Sequence, residues 1–411
     1  MKYGLIGEKL GHSFSKVIHE RLSGNPYELL EIRPDELDAF MKSKDFLGIN
    51  VTIPYKEAVI PYLDKIDESA AAIVAVNTIV NRSGKLYGYN TDFFGMRALF
   101  RHAGVNPEGK KAVILGSGGT SRTAMSVLSS LGASEILRVS RSGRDGAITY
   151  EELYERHTDA EIIVNTTPLG TYPNVSGCAL DIKAFKSLLG VIDAVYNPLR
   201  TNLVLDALEM GIRAEGGLYM LVCQAVRASE IFLDKEYPCR LIDEVYDGIK
   251  KEKESIVLIG MPASGKSTVG KILEKKTGRA FIDTDDVIVR ESGKEIADIF
   301  KSEGEAAFRA MESDVIARVA IEGSKIIATG GGAILKNENV RALKRCGRLF
   351  FIDRPLESLV PTDSRPLSSD KAAIAKRYEE RYPIYSSVCD ERIDATCDAE
   401  TVAEKILEKF L

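Results

Sequence analysis

No apolar run in this chain approaches the roughly 18 residues that a membrane-spanning helix requires. The longest conspicuous one, Ala70 to Val76, is seven residues. The start, Met1-Lys2-Tyr3-Gly4-Leu5-Ile6-Gly7-Glu8, meets glycine and charge before a signal-peptide core forms, so the expected location is cytoplasmic. Positive charge is not in surplus: 55 Lys and Arg face 60 Asp and Glu, for a net charge of −5. That balance gives no footprint for nucleic acid or an anionic membrane, and any bound anion has to be captured locally. Six cysteines (Cys178, Cys223, Cys239, Cys346, Cys389, Cys397) include no C-x-x-C pair, which argues against a zinc site or a disulfide framework and for reduced structural thiols. Repeats and low-complexity tracts are missing as well.

What is present is an ordinary globular composition, 45% hydrophobic and 28% charged, spread over 411 residues, too many for one hydrophobic core. Two glycine-rich turns, each after a short apolar run, divide the sequence. Ala112-Val113-Ile114-Leu115 runs into Gly116-Ser117-Gly118-Gly119-Thr120-Ser121, and Ile256-Val257-Leu258-Ile259 into Gly260-Met261-Pro262-Ala263-Ser264-Gly265-Lys266-Ser267-Thr268. Each reads as strand, tight turn and helix start, the geometry that aims backbone N–H groups at a phosphate. One parallel sheet rarely carries two such openings, so separate α/β units are expected, with Lys250-Lys251-Glu252-Lys253-Glu254 as the linker. The expected fold class is therefore α/β. An α/β lobe over residues 1–100 is completed by about 218–250, where Tyr219 to Phe232 shows helical spacing. A Rossmann lobe spans 101–217, and a P-loop domain spans 254–411.

After the first turn, a second strand, Glu135 to Val139, ends at Ser140-Arg141-Ser142-Gly143-Arg144, where a Rossmann fold reads the adenosine ribose. A carboxylate there would select NAD; Ser140, Arg141, Ser142 and Arg144 instead suit the 2′-phosphate of NADP. Upstream lie Gly11-His12-Ser13-Phe14-Ser15, Asn50-Val51-Thr52-Ile53-Pro54-Tyr55-Lys56, Ala75-Val76-Asn77-Thr78 and Gly88-Tyr89-Asn90-Thr91-Asp92, an inventory of hydroxyls, amides, one Lys and one Asp that suits a polyhydroxylated carboxylate.

Together with Val164 to Gly170, Asp193 to Pro198 and Gly217 to Gln224, these motifs resemble shikimate dehydrogenase over about residues 1–245. The resemblance implies that Ser13, Ser15, Asn50, Thr52, Asn77, Asp92, Tyr196 and Gln224 hold the substrate and that Lys56 and Asp92 form the acid/base pair. It also implies an NADP(H) site of Gly116, Ser117, Gly118, Gly119, Thr120, Ser140, Arg141, Ser142, Arg144, Ala194 and Gly217. The family often has Asn where Ser140 stands.

The second turn satisfies G-x-x-x-x-G-K-[ST], and no N-K-x-D motif for a guanine base occurs, which leaves a small-molecule kinase. Ala263, Ser264, Gly265, Lys266, Ser267 and Thr268 would cradle ATP, with Lys266 on the β- and γ-phosphates and Ser267 on Mg²⁺. Phe281-Ile282-Asp283-Thr284-Asp285 reads as a strand whose two carboxylates, two residues apart, project from one face. With Ile296 to Phe300, Phe308-Arg309, Ala328 to Ala333, Ser364-Arg365-Pro366-Leu367 and Arg381 to Tyr385, this half resembles shikimate kinase over about 254–411.

The resemblance implies Asp283 in the Mg²⁺ shell and Asp285 orienting the reacting hydroxyl. It likewise implies Arg309 and Arg381 as clamps on the substrate carboxylate, Gly331 as a close backbone contact, and Arg365 as an ATP-binding lid arginine on the transferring phosphoryl. The expected partners are 3-dehydroshikimate and shikimate, with NADP(H), ATP and Mg²⁺ as cofactors and the oligomeric state open. The rival reading is an NAD-preferring quinate/shikimate dehydrogenase fused to a nucleotide-sensing, catalytically weak kinase module, because the usual extra lid arginines are absent from Leu356 to Asp363.

Overall fold

The computed structural model describes residues 2–11, 13–359 and 371–410. They divide into two compact units, one of residues 1–197 and 201–249, the other of 198–200 and 250–411. Among the described residues no helix is long and apolar enough to cross a membrane.

The first unit holds two sheets. The first runs β1 (Tyr3–Gly7), β2 (Glu28–Glu31), β3 (Gly48–Val51), β4 (Lys65–Ile66), β5 (Thr78–Arg82) and β6 (Lys85–Tyr89), in spatial order β2-β1-β3-β5-β6-β4. β1, β2 and β3 are parallel, whereas β5 lies antiparallel to both β3 and β6. The β5–β6 hairpin turns through Ser83 and Gly84, both at positive φ, as a two-residue turn requires. Its register pairs Thr78 with Tyr89, while Asn50 pairs with Thr78 across β3, so the residues that follow β3 and β6 reach the same sheet edge. Ile6, Ile49, Ile79 and Leu86 fill the core beneath.

The second sheet is wholly parallel: β7 (Lys111–Leu115), β8 (Glu135–Val139), β9 (Ile162–Asn165), β10 (Gly190–Asp193) and β11 (Arg213–Glu215), in order β11-β10-β9-β7-β8. The order reverses between β7 and β9, and in such sheets the crevice beyond the carboxyl ends at that point takes the ligand. The helix Leu218–Leu233 then packs back against Thr91–His102 and Ser15–Ser23 of the first part, its Phe232 lying where a side chain on Gly48 would have to go.

The second unit has β12 (Ser255–Ile259), β13 (Phe281–Asp283), β14 (Ile326–Ala328), β15 (Gly347–Asp353) and β16 (Glu391–Asp394), all parallel, in order β13-β14-β12-β15-β16. Along β12, Val257 and Ile259 enter one core while Ile256 and Leu258 enter another. A strand covered on both faces reads as the unbroken apolar run seen in the sequence.

The charged stretch 250–254 lies at the boundary between the two units, and the helix Arg240–Lys253 continues into it as far as Lys253. Lys and Glu are strong helix formers, and the buried Val245, Tyr246 and Ile249 give that helix an apolar stripe. β13 stops at Asp283, which caps the helix Thr284–Ser292, so Asp285 sits in a helical first turn and shares no strand face with Asp283.

Candidate functional sites

In the first unit a cavity of about 400 Å³ opens where the two sheets meet. Ser13, Ser15, Asn50, Thr52, Lys56, Asn77, Asp92, Tyr196 and Gln224 all line it, with Thr120, Ala194 and Gly217 from the nucleotide side. The β5–β6 hairpin delivers Asn90, which caps the helix Thr91–His102 and sets Asp92 in its first turn. Lys56 Nζ donates to Asp92 Oδ2 at 2.5 Å, with both side chains largely buried. Asn77 Nδ2 donates to the other oxygen, Asp92 Oδ1, at 2.9 Å. The carboxylate is thus fixed from one side, and the ammonium is held facing the cavity.

Asn50 is more committed than the sequence implied. Its Nδ2 donates to Asn77 O and Thr78 Oγ1, and its Oδ1 already accepts from Tyr27 Oη at 2.7 Å, leaving one lone pair for a ligand. Phe14 meets Tyr196 edge-on, with ring centroids 5.2 Å apart.

The residues expected to hold NADP divide into two groups. Gly116 has φ +112, and a Cβ there would lie 2.8 Å from Thr166 Oγ1 at the adjoining strand end, so glycine is required. Ser117 and Gly118 are exposed, and the helix Gly119–Ser130 begins without a side-chain cap, leaving its first N–H groups for an anion. A Cβ on Gly119 would lie 4.0 Å from Lys56 Cδ, which puts the turn beside the Lys56–Asp92 ion pair, and one on Gly217 would meet Ala194 O. Ser140, Arg141, Ser142 and Arg144 lie outside the cavity, beyond β8. There Ser140 Oγ accepts from Gly143 N at 3.1 Å, and Arg141 and Arg144 are exposed with no carboxylate partner among the described residues. These features suit a pyrophosphate at the turn and a 2′-phosphate at the two arginines.

In the second unit, Gly260 (φ +149), Ala263 (φ +63) and Gly265 (φ +96) bend the turn that ends in the helix Lys266–Thr277. Lys266 Nζ donates to Gly260 O at 2.9 Å and Met261 O at 2.8 Å. Ser267 Oγ donates to Asp283 Oδ2 at 2.6 Å, and two hard oxygens so placed suit a Mg²⁺ that keeps several waters. Because β12, β13 and β14 are in register, Asp285 and residues 330–332 reach the same edge.

A Cβ on Gly330 would lie 2.7 Å from both Asp285 Oδ1 and Glu312 Oε1. Arg309 donates to Glu312 Oε2 at 2.7 Å and lies over Gly332, while Arg381 Nη1 donates to Gly331 O at 3.0 Å. Burial opposes the charge on both arginines. At Arg309 the carboxylates of Glu312 and Glu305 outweigh it and hold the guanidinium above its usual range. Arg381, with Arg309 and Arg377 nearby, falls below its own. A carboxylate placed between them would relieve that repulsion.

Glu312 is a member of this cluster that the sequence motifs do not contain. It is fully buried, burial pushes its carboxyl upward, and its only advance signal is the i, i+3 spacing from Arg309. Arg365, the expected lid arginine, lies outside the described residues.

Comparison with known proteins agrees on both halves. The family model for the shikimate dehydrogenase substrate binding domain matches residues 5–79, and that for shikimate kinase matches 262–411. Shikimate dehydrogenase (NADP(+)) of Clostridium perfringens is 39% identical over 267 residues, 60% of this chain and 98% of that protein. The crystal structure of shikimate dehydrogenase 1 from Peptoclostridium difficile superposes with TM-score 0.57 at 38% identity, over 61% of this chain and 98% of that one. That of shikimate 5-dehydrogenase from Thermus thermophilus, in complex with NADP(H) and shikimate, gives 0.54 at 26% identity, over 60% and 98%. The chain therefore belongs to the shikimate dehydrogenase family over its first three-fifths and joins to it, in one polypeptide, a shikimate kinase domain.

Proposed function

We propose that the chain is a bifunctional enzyme that reduces 3-dehydroshikimate to shikimate with NADPH and then phosphorylates shikimate with ATP to shikimate 3-phosphate. Residues 1–100 with 218–250 take the acid, 101–217 the dinucleotide, and 254–411 form the kinase. One observation supports this most strongly: each unit sets a phosphate-binding turn beside a pocket whose cations and polar groups suit the same hydroxylated carboxylate.

Bound NADPH supplies the hydride. Lys56 Nζ, oriented by Asp92, gives its proton to the oxygen that becomes the 3-hydroxyl. Ser13, Ser15, Asn50, Thr52, Asn77, Tyr196 and Gln224 fix the ring, while Arg141 and Arg144 take the 2′-phosphate. In the kinase, Arg309 and Arg381 clamp the carboxylate so that the 3-hydroxyl faces Asp285, which orients it and accepts its proton. The new O–P bond forms as the β,γ-bridging bond breaks, and Lys266 offsets the charge that gathers on the departing ADP. Ser267 and Asp283 would hold Mg²⁺, which supplies charge neutralisation between the phosphates. The partners are small molecules and the setting is cytoplasmic.

The test is a single reaction of the intact chain with 3-dehydroshikimate, NADPH and MgATP, its products identified by mass. Shikimate 3-phosphate formed in step with NADP and ADP is the expected result. Lys56→Ala should stop NADPH oxidation yet leave phosphorylation of added shikimate intact. ATP binding without shikimate-dependent ADP release would defeat the kinase assignment.

A further inference from the structure

Tyr385 touches both loops of the kinase site. It is fully buried, its ring stacks on Phe351 with centroids 5.0 Å apart, and its hydroxyl lies 2.5 Å from Gly331 O and 2.9 Å from Gly260 O. Gly260 opens the phosphate turn, and Gly331 belongs to the loop against the acid pocket. A phenol has one proton, so it serves one of these carbonyls at a time. Each carbonyl has a second donor, and that donor is a cation the reaction needs elsewhere: Lys266 Nζ on Gly260 O and Arg381 Nη1 on Gly331 O.

We propose that Tyr385 is a positioning residue that couples the two ligands of the kinase site, its proton covering whichever carbonyl loses its cation. The proposal rests on the kinase reading. When the nucleotide draws Lys266 onto its phosphates, Gly260 O is covered by Tyr385. When the substrate carboxylate draws Arg381 away, Gly331 O is covered instead. Either ligand alone therefore binds without stranding a buried acceptor. With both bound, two carbonyls share one proton, and the second ligand binds against the loss of a hydrogen bond. Tyr385 thus contributes antagonism between nucleotide and acid, and it favours each binary complex.

The experiment measures dissociation constants on the intact chain by calorimetry. Shikimate and Mg²⁺ with a non-hydrolysable ATP analogue are each titrated alone and with the other saturating. Tyr385→Phe keeps the ring and removes the proton. Both binary constants should rise by about 5-fold, the worth of one net hydrogen bond, while the constants measured in the presence of the other ligand stay unchanged. Equal weakening of binary and ternary binding means a merely structural role and overturns the proposal, as does no change at all.

Lys266→Met gives an independent reading with Tyr385 intact. Gly260 O then holds the Tyr385 proton before any ligand arrives, so shikimate binding without nucleotide should weaken by a similar factor; an unchanged constant refutes the coupling. If the unmodified protein binds neither ligand, the kinase reading itself fails, a result distinct from either outcome above.

Discussion

Replacing His19 by phenylalanine should flatten the loss of stability of the dehydrogenase unit in mild acid. His19 is buried, its ring lies parallel to Tyr27 with centroids 4.2 Å apart, and its Nε2 has no hydrogen-bond partner among the described residues. Burial lowers its pKa from 6.5 to about 3, so the folded protein keeps the ring neutral while the unfolded chain protonates it below pH 6.5. The stability that His19 permits is complete above pH 6.5 and is lost as pH falls toward about 3. At about 1.36 kcal/mol per pH unit, the loss by pH 5.0 is about 2 kcal/mol, and this figure is insensitive to the folded value as long as that lies well below 5.

Urea denaturation of the intact chain, followed through loss of NADPH-dependent activity, should be run from pH 7.5 to 5.0 on both proteins. The difference in unfolding free energy between them should change by about 2 kcal/mol over that range. Any constant cost of repacking phenylalanine drops out of such a slope. Asp193 runs the other way. Burial raises its carboxyl to about 6 despite hydrogen bonds from Thr201, Val195 and Asn165, so it adds stability at low pH that is lost between about 4 and 6 as pH rises. It is common to both proteins and cancels. Parallel pH profiles would refute the reasoning.

Arg141→Asp should shift dinucleotide preference from NADPH toward NADH, because a carboxylate repels the 2′-phosphate and accepts from a 2′-hydroxyl; the ratio of the two kcat/KM values is the readout, and an unmoved ratio places the adenosine site elsewhere. Glu312→Gln removes the buried charge that holds Arg309, so the kinase KM for shikimate should rise by about 10-fold, the scale of a charge-assisted hydrogen bond, with dehydrogenase kinetics unchanged.

Much of this arrangement is legible in the sequence, and the reasons are local. β8 occupies Glu135–Val139 as its apolar run predicts, and both phosphate turns follow strands because glycine and unbroken apolar runs leave few alternatives. Where Asp283 and Asp285 sit is harder to read. A strand reading carries both onto one face, but the Asp283 side chain accepts from the amide of Asp285 and starts a helix between them. The Lys and Glu run at 250–254 signals solvent exposure equally well in a loop or a helix, and only the apolar stripe before it decides. Glu312 stands in a helix with other charged residues, and nothing in its neighbours marks it as buried. Asn50 was legible as a pocket residue, but Tyr27, whose hydroxyl claims one of its lone pairs, is 23 positions away.

Each compact unit carries a candidate site of its own: the cavity around Lys56 and Asp92 in one, the turn at Lys266 with Arg309 and Arg381 in the other. Because a single polypeptide carries both, the two catalysts are made in strict one-to-one number, whatever the level of expression. Raising the dosage or transcription of this gene cannot supply more reductase than kinase. The balance of flux between the two steps is then written only in their turnover numbers and affinities, so selection on that balance acts on the residues of the two pockets.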